Sequence, residues 1–368
     1  MILIRSEKMK VMLDKKEKPF HFLIAVVVIM VVIKQINLRL TRNEDSQMVM
    51  GGEFQVQSNE LRANELKANE QDSIVTNYDN ENNAEYNSDQ SKVWEQEDVE
   101  TYYRPSKLPV LNNRPFNLNF YRDENGFKGA EMDLPDYIFQ TPEDTLLNYF
   151  SILRDAAHWI EGKYAGCGTI GLSNLPYPVA YQFLSTYYQN KLSYEEYLKT
   201  FENILHTNLI KIKQVPVYQA PSNLSRYFVE LETIQGSDQD SLAYFAYYYG
   251  FVDVVKEGAL YKISDLKFYG ENYLCAPMHG WSYNAEAVVQ VMYGGWCSMI
   301  ETLYPTIQDG YVKQIPFKGT DGFEYMIEFY QLTNDTDIEI AQYRKGKDGS
   351  WELIKLDPHE CLEKKKKE

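Results

Sequence analysis

The sequence predicts an α+β protein: helices packed on curved antiparallel sheets, preceded by an N-terminal transmembrane helix and a disordered tether. Three observations carry this. One apolar run stands near the N-terminus, at 20–33. A long stretch rich in Asn, Asp, Glu and Ser follows it. Beyond Thr141 the hydrophobic period is first that of a helix and then that of a strand.

The run from Phe20 to Ile33 has no polar face, which argues against a buried core helix. It is shorter than the ~20 residues a bilayer asks for. Lys34 can snorkel, and Ile36 and Leu38 extend the apolar reach, so the expected span is 20–38. No small-residue cleavage site follows, which favours an uncleaved signal-anchor. Arg5, Lys8, Lys10, Lys15, Lys16 and Lys18 precede the run. Residues 1–19 are therefore expected to be a cytoplasmic tail, with the C-terminal part outside the cell membrane.

The chain of 368 residues carries a formal charge of −16, unevenly spread. Residues 1–42 hold nine Lys/Arg against three Asp/Glu, whereas 43–104 hold four against fifteen. An acidic folded part excludes nucleic acid as a partner, since phosphate binding needs a basic face. The 39–104 stretch has few aliphatic residues to offset its ordering entropy and is expected to be a disordered acidic tether. Residues 105–140 lead into the folded part.

Thr141-Pro142-Glu143-Asp144 combines an N-cap, a first-turn proline and first-turn acids, a helix start. Leu146, Leu147, Phe150, Leu153, Ala157 and Ile160 follow at helical spacing. A second helix is expected over 178–189. A third opens at the capping box Ser193-Tyr194-Glu195-Glu196 and runs through Leu205, with His206 at its end. Alternating segments at 209–213, 227–232, 242–255 and 260–268 then read as a β-meander. The pattern partly recurs: a helix over 285–304, interrupted by Gly294-Gly295, then strands at 311–317, 323–332, 338–344 and 351–356. Asp348-Gly349 marks the last hairpin.

The segment "TPEDTLLNYF" at 141–150 resembles the opening of NTF2-like (cystatin-like) domains. The ending "IEIAQYRKGKDGSWELIKLD" at 338–357 is similar to their closing hairpin. The resemblance implies two units, 141–275 and a partial copy at 276–357, followed by a charged tail at 358–368. It also implies a curved sheet wrapped round helices to make a conical cavity. Family members include enzymes, ligand binders and assembly modules, so the resemblance leaves function open. The layout of short tail, single span and outer domain resembles membrane-anchored VirB8-type components of conjugation and secretion machinery.

No Gly-x-Ser-x-Gly, phosphate-binding loop, dinucleotide fingerprint or His-Glu-x-x-His occurs, so no catalytic residue, no metal ligand and no cofactor is expected. His158 and Glu161 would share a helix face, but two ligands do not make a metal site. Among the four cysteines, Cys167, Cys275 and Cys297 are candidates for one disulfide, and Cys361 sits in the polar tail beside His359. Tyr244, Tyr247 and Tyr249 belong to an aromatic strand whose alternate members face opposite sides. With His279 and Trp281 from the loop between the units, they are the expected ligand-binding residues. The reading is a membrane-tethered extracytoplasmic binding or assembly module without catalytic activity. Its partner is a protein or a second copy, met through a sheet surface. The alternatives are a binder of cell-wall or lipid material using the aromatic cavity, or a cavity enzyme.

Overall fold

The structure, a computed structural model, describes residues 48–55, 104–123, 126–127, 134–165, 171–237, 243–271 and 280–367. The apolar run at 20–33 lies outside these residues, as do Cys167, Cys275 and His279. Among the described residues no helix is long and apolar enough to cross a membrane. The fold is α+β, with two six-stranded sheets of mainly antiparallel strands and few, short helices.

The first sheet begins earlier than the sequence suggests. β1 (Met48–Val49) and β2 (Gly52–Phe54) form a hairpin inside the stretch expected to be tether, and β2 pairs in parallel with β8 (Leu260–Gly270). The hairpin turn needs positive φ at both central residues, here Met50 at 52° and Gly51 at 79°. Three contacts explain why so polar a stretch is ordered here. Met50 is only 1% exposed within the core, the Tyr188 hydroxyl donates to Gly51 O at 2.9 Å, and Gly51 N donates to Thr200 Oγ1 at 2.6 Å. The tether reading of 39–104 is therefore corrected at 48–55 and at Arg104, which is also buried. A small hairpin, β3 (Arg122–Asp123) with β4 (Gly126–Phe127), lies in the lead-in.

Helix α1 (Pro142–Arg154) starts as its sequence demands, with Thr141 capping Asp144 N. It stops at Arg154, short of Ile160, so His158 and Glu161 share no helix face. His158 Nδ1 instead lies 3.1 Å from Leu198 O. The expected second helix is two, α2 (Tyr177–Tyr181) and α3 (Thr186–Lys191), because Ser185 re-caps the chain at Tyr188 N. α4 (Tyr194–Lys199) keeps its capping box but ends at Thr200. Ile204 and Leu205, expected on that helix, belong to β5 (Ile204–Val215). His206 therefore caps no helix; its Nε2 meets Asn208 Oδ1 at 3.0 Å.

β5, β6 (Leu224–Gln235), β7 (Tyr244–Glu257) and β8 make the antiparallel meander. Tyr227, Val229 and Leu231 of β6 face the helices and share one core with Leu146, Tyr149, Phe183 and Tyr197. Side chains of the helices and of the sheet pack directly together on that side. Phe228, Glu230 and Glu232, on the opposite face, are each 0% exposed. A second sheet covers part of that face.

α5 (Ala285–Val288) runs into a π-helical segment (Val289–Trp296), and the chain is strand again at β9 (Ile300–Leu303). The helix expected over 285–304 is thus cut short beyond Gly294-Gly295, and Ile300 and Leu303 reach the core from a strand. β10 (Ile307–Asp309), β11 (Val312–Gly319), β12 (Glu324–Gln331), β13 (Asp337–Lys345) and β14 (Trp351–Ile354) complete the second sheet, with β9 also paired to β11. Ala285, Val289 and Tyr293 pack on Ile315, Phe317, Ile327 and Phe329. The terminal segment, expected to be a solvated tail, is α6 (Pro358–Lys367), with Cys361 bonded to Cys297. Cys361 was missed because its partner lies 64 residues away and comes near only once the π-helical segment is in place.

Because the hairpin at 48–54 and Arg104 are both held by the body, cutting the chain between Gln55 and Arg104 should leave two pieces that co-elute natively and separate only in denaturant. Gly51→Val should release the N-terminal piece: it would hold a β-branched residue at positive φ, costing about 2 kcal/mol, and its Cβ would sit 2.5 Å from Tyr197 Cε2. Analytical gel filtration of the cut protein and of the variant checks both. Separation of the wild-type pieces would refute the docking.

Candidate functional site: an aromatic cleft between the sheets

The two sheets meet through a small apolar cluster, in which Phe228, Tyr249 and Val215 touch Tyr330 and Leu332. Polar groups complete the junction. Lys211 Nζ lies 3.1 Å from Glu230 Oε2 and donates to Gln331 O at 2.9 Å, and it sits 3.9 Å from the Tyr311 ring centroid. Glu230 Oε1 accepts from Thr333 N at 2.9 Å. Beside them Glu271 has both carboxyl oxygens buried with no hydrogen bond among the described residues. Burial, then repulsion from Glu230, push the Glu271 carboxyl well above the usual range, and Lys211 offsets this in part. Further along the same face, Arg104 Nη1 pairs with Glu232 Oε1 at 2.9 Å and the Tyr247 hydroxyl donates to Glu232 Oε2 at 2.5 Å. A buried charge without such partners would cost several kcal/mol, about 3–5 if one partner of a pair is removed.

Where the sheets diverge they leave a cleft of about 430 Å³. The first sheet supplies Tyr249, Phe251 and Tyr269, with Gln55 from the N-terminal hairpin's exit. The second body supplies Phe329, Asp337, Ile338 and Glu339 from its sheet, Val288, Met292 and Trp296 from the helical segment, and Trp281 and Ser282 just before it. His359 on α6 completes the lining. The rings of Tyr249 and Tyr269 stack at 5.0 Å and 11°, whereas Trp281 and Trp296 stand at 87° to each other, 5.7 Å apart. Trp296 also lies 5.3 Å from the His359 ring. Lys365 Nζ donates to Gly295 O at 2.7 Å, so a cation and the Cys297–Cys361 bond together hold α6 to the end of the π-helical segment. π-Helical turns recur at functional sites because they re-aim side chains that a regular helix would place elsewhere.

Both carboxylates of the cleft are engaged from the protein side. Asp337 Oδ2 accepts from Lys313 Nζ at 2.8 Å and from Ala285 N at 2.9 Å. Glu339 accepts from the Tyr293 hydroxyl at 3.0 Å and from Gln342 Nε2 at 2.7 Å. Burial raises both carboxyls, and for each the hydrogen bonds it accepts pull the other way. Among the described residues no group of three or more side chains could hold a metal ion. A second cavity of about 390 Å³ lies beside α1, but its Arg114 is paired with Asp144 at 2.6 Å and with Asn148 at 2.9 Å.

Of the expected ligand-binding residues, Tyr249 and Trp281 line the cleft. Tyr247 is buried against Glu232, and Tyr244 is 48% exposed with its hydroxyl on Gln235 Oε1 at 2.8 Å. His279 lies outside the described residues. Tyr247 and Tyr249, two apart on β7, share one face and Tyr244 the other, and which face meets a cleft depends on the second sheet. Met292, Trp296, Asp337, Glu339 and His359 were missed. For Met292 and Trp296 the Gly294-Gly295 interruption hinted at an unusual helix; for Asp337, Glu339 and His359 there was no such signal. Comparison with protein families, with curated proteins and with solved structures finds no match to this chain.

Four carboxyls, Asp155, Glu271, Asp337 and Glu339, are raised chiefly by burial. A raised carboxyl is protonated more readily in the folded than in the unfolded state, so its stabilisation is full below the unfolded value and lost as pH rises through the folded one. The melting temperature should therefore rise as pH falls from 7 towards 5. The lowered carboxyls, Asp144, Glu196 and Asp348, oppose this only at more acid pH. A steady fall in melting temperature over that window, followed by calorimetry, would contradict the burial of the four.

The disulfide closes a 64-residue separation, for which chain entropy sets a ceiling of about 4 kcal/mol. Cys361→Ser should lower the melting temperature and increase acrylamide quenching of tryptophan as α6 leaves Trp296. An unchanged quenching curve would show that α6 does not depend on the bond.

Proposed function

We propose that this chain is a membrane-tethered extracytoplasmic binding module whose ligand site is the cleft between the two sheets. The observation that carries the reading is the cleft itself: about 430 Å³, within the ~300–1,000 Å³ usual for small-molecule sites, with aromatic walls and a few convergent polar groups. The charged groups of its floor are held by the protein rather than poised for proton transfer. Among the described residues no hydrogen bond or ion pair joins His359 to a carboxylate of the cleft, which weakens the enzyme alternative.

Three further features support the placement. The 20–33 run and its six preceding cations favour a signal-anchor with the body outside. The Cys297–Cys361 disulfide suits an oxidising compartment. Helices α1–α4 followed by the β5–β8 meander support an NTF2-like reading of 141–275, with the second sheet as an addition that creates the site.

Protease added to intact protoplasts should digest the body and spare the N-terminal tail; full protection of the body would sink the topology. Small molecules extracted from the cell envelope should raise the melting temperature of a 48–368 protein, and Trp281→Ala should abolish that rise. An equal rise in the variant would place the ligand elsewhere.

A further inference from the structure

Resting on the reading of the cleft as a binding site, we infer that its ligand carries an organic ammonium group. Among the described residues the lining holds two carboxylates and six aromatic rings besides His359, and no Lys or Arg. Aromatic faces carry negative potential, so such walls favour a cation and reject an anion. Phosphate, sulfate and carboxylate ligands would find no counter-charge there apart from His359.

The two carboxylates are not equivalent, and the difference sharpens the inference. Asp337 has a counter-ion in Lys313, 2.8 Å away, yet its Oδ1 accepts no hydrogen bond among the described residues although the residue is only 3% exposed. Among the described residues Glu339 has only neutral donors, the Tyr293 hydroxyl and the Gln342 amide. Its negative charge is uncompensated, and burial already biases it towards the neutral acid. A cation entering the cleft supplies the missing counter-charge and restores the ionised form. The residues lie two apart on β13, so both project to the same side of the strand. Trp281 and Trp296, packed edge to face at 87° in the lining of the same cleft, add ring surfaces of the kind that attract a compact cation.

Choline and ethanolamine supply the ammonium group, and 3,3-dimethylbutan-1-ol is the neutral isostere of choline. Titrate each into the 48–368 protein at pH 8, following tryptophan fluorescence and heat. Both ammonium compounds should bind at least roughly tenfold more tightly than the neutral isostere. Glu339→Gln should erase that advantage without lowering the melting temperature, because glutamine retains the volume and an acceptor. Phosphatidylcholine vesicles tell the source apart: binding to vesicles in flotation marks a lipid headgroup, and binding to free choline alone marks a soluble amine, either of which upholds the inference. Equal or tighter binding of the neutral alcohol, or of maltotriose as a neutral sugar, would overturn the ammonium assignment while leaving the cleft as the binding site. If none of these probes binds but envelope extract still protects the protein in a Trp281-dependent way, the assignment again falls alone. Absence of both responses overturns the cleft reading with it.

Discussion

Strand β6 is buried on both faces, and the rest of the molecule is arranged to make that possible. Six of its residues alternate between two environments: Tyr227, Val229 and Leu231 join the helical core, whereas Phe228, Glu230 and Glu232 turn away from it. A strand in an ordinary meander keeps one face in water. Here that second face carries two carboxylates with no exposure at all, so each needs a partner brought from elsewhere in the chain. Lys211 and Thr333 N serve Glu230, and Arg104, Tyr247 and Asn208 serve Glu232.

These partners come from far apart in sequence, and their positions dictate the architecture. Gln331 ends β12 and Thr333 lies in the turn after it, so satisfying Glu230 and Lys211 draws one end of the second sheet onto the first. Only that end is drawn in. The remainder of the second sheet, with α5 and the π-helical segment on it, stands off from Tyr249, Phe251 and Tyr269, and the gap is the cleft. A polar clasp at one end and a disulfide-held helix at the other thus frame a space that neither sheet would enclose alone. Buried ion pairs of this kind add little net stability compared with apolar packing, but they specify geometry because a mismatched docking would leave a charge unpaired.

The N-terminal hairpin belongs to the same logic. β2 extends the first sheet in parallel beside β8, and Met50 and Gly51 plug the helical core against Tyr197 and Tyr188. Gln55, immediately after it, reaches the cleft. A segment that composition marks as solvated is therefore a working part of the body, because pairing with β8, hydrogen bonds made by the backbone of Met50, Gly51 and Gln55 and one buried methionine order so short a piece.

Much was legible from local chemistry alone. The α+β class, the N-caps at Thr141 and Ser193, the four-stranded meander and the closing hairpin follow from periodicity and turn residues, which act within a few positions along the chain. Element ends were less legible. Ile204, Leu205, Ile300 and Leu303 look helical beside their neighbours yet lie in strands, since pairing with distant β6 and β11 outweighs local preference. Half of the site was out of reach in the same way. The aromatic strand and Trp281 were visible as unusual residues, but His359 and Cys361 looked like a tail, and Asp337 and Glu339 looked like ordinary strand acids. Sequence alone settled where α1 and α4 begin, where the central strands lie and that β6 alternates, because those depend on each residue's own shape and polarity. What covers the second face of β6, and hence where a cleft is left open, came only with the tertiary structure, because it depends on hydrogen bonds from buried charged groups to backbone more than a hundred residues away.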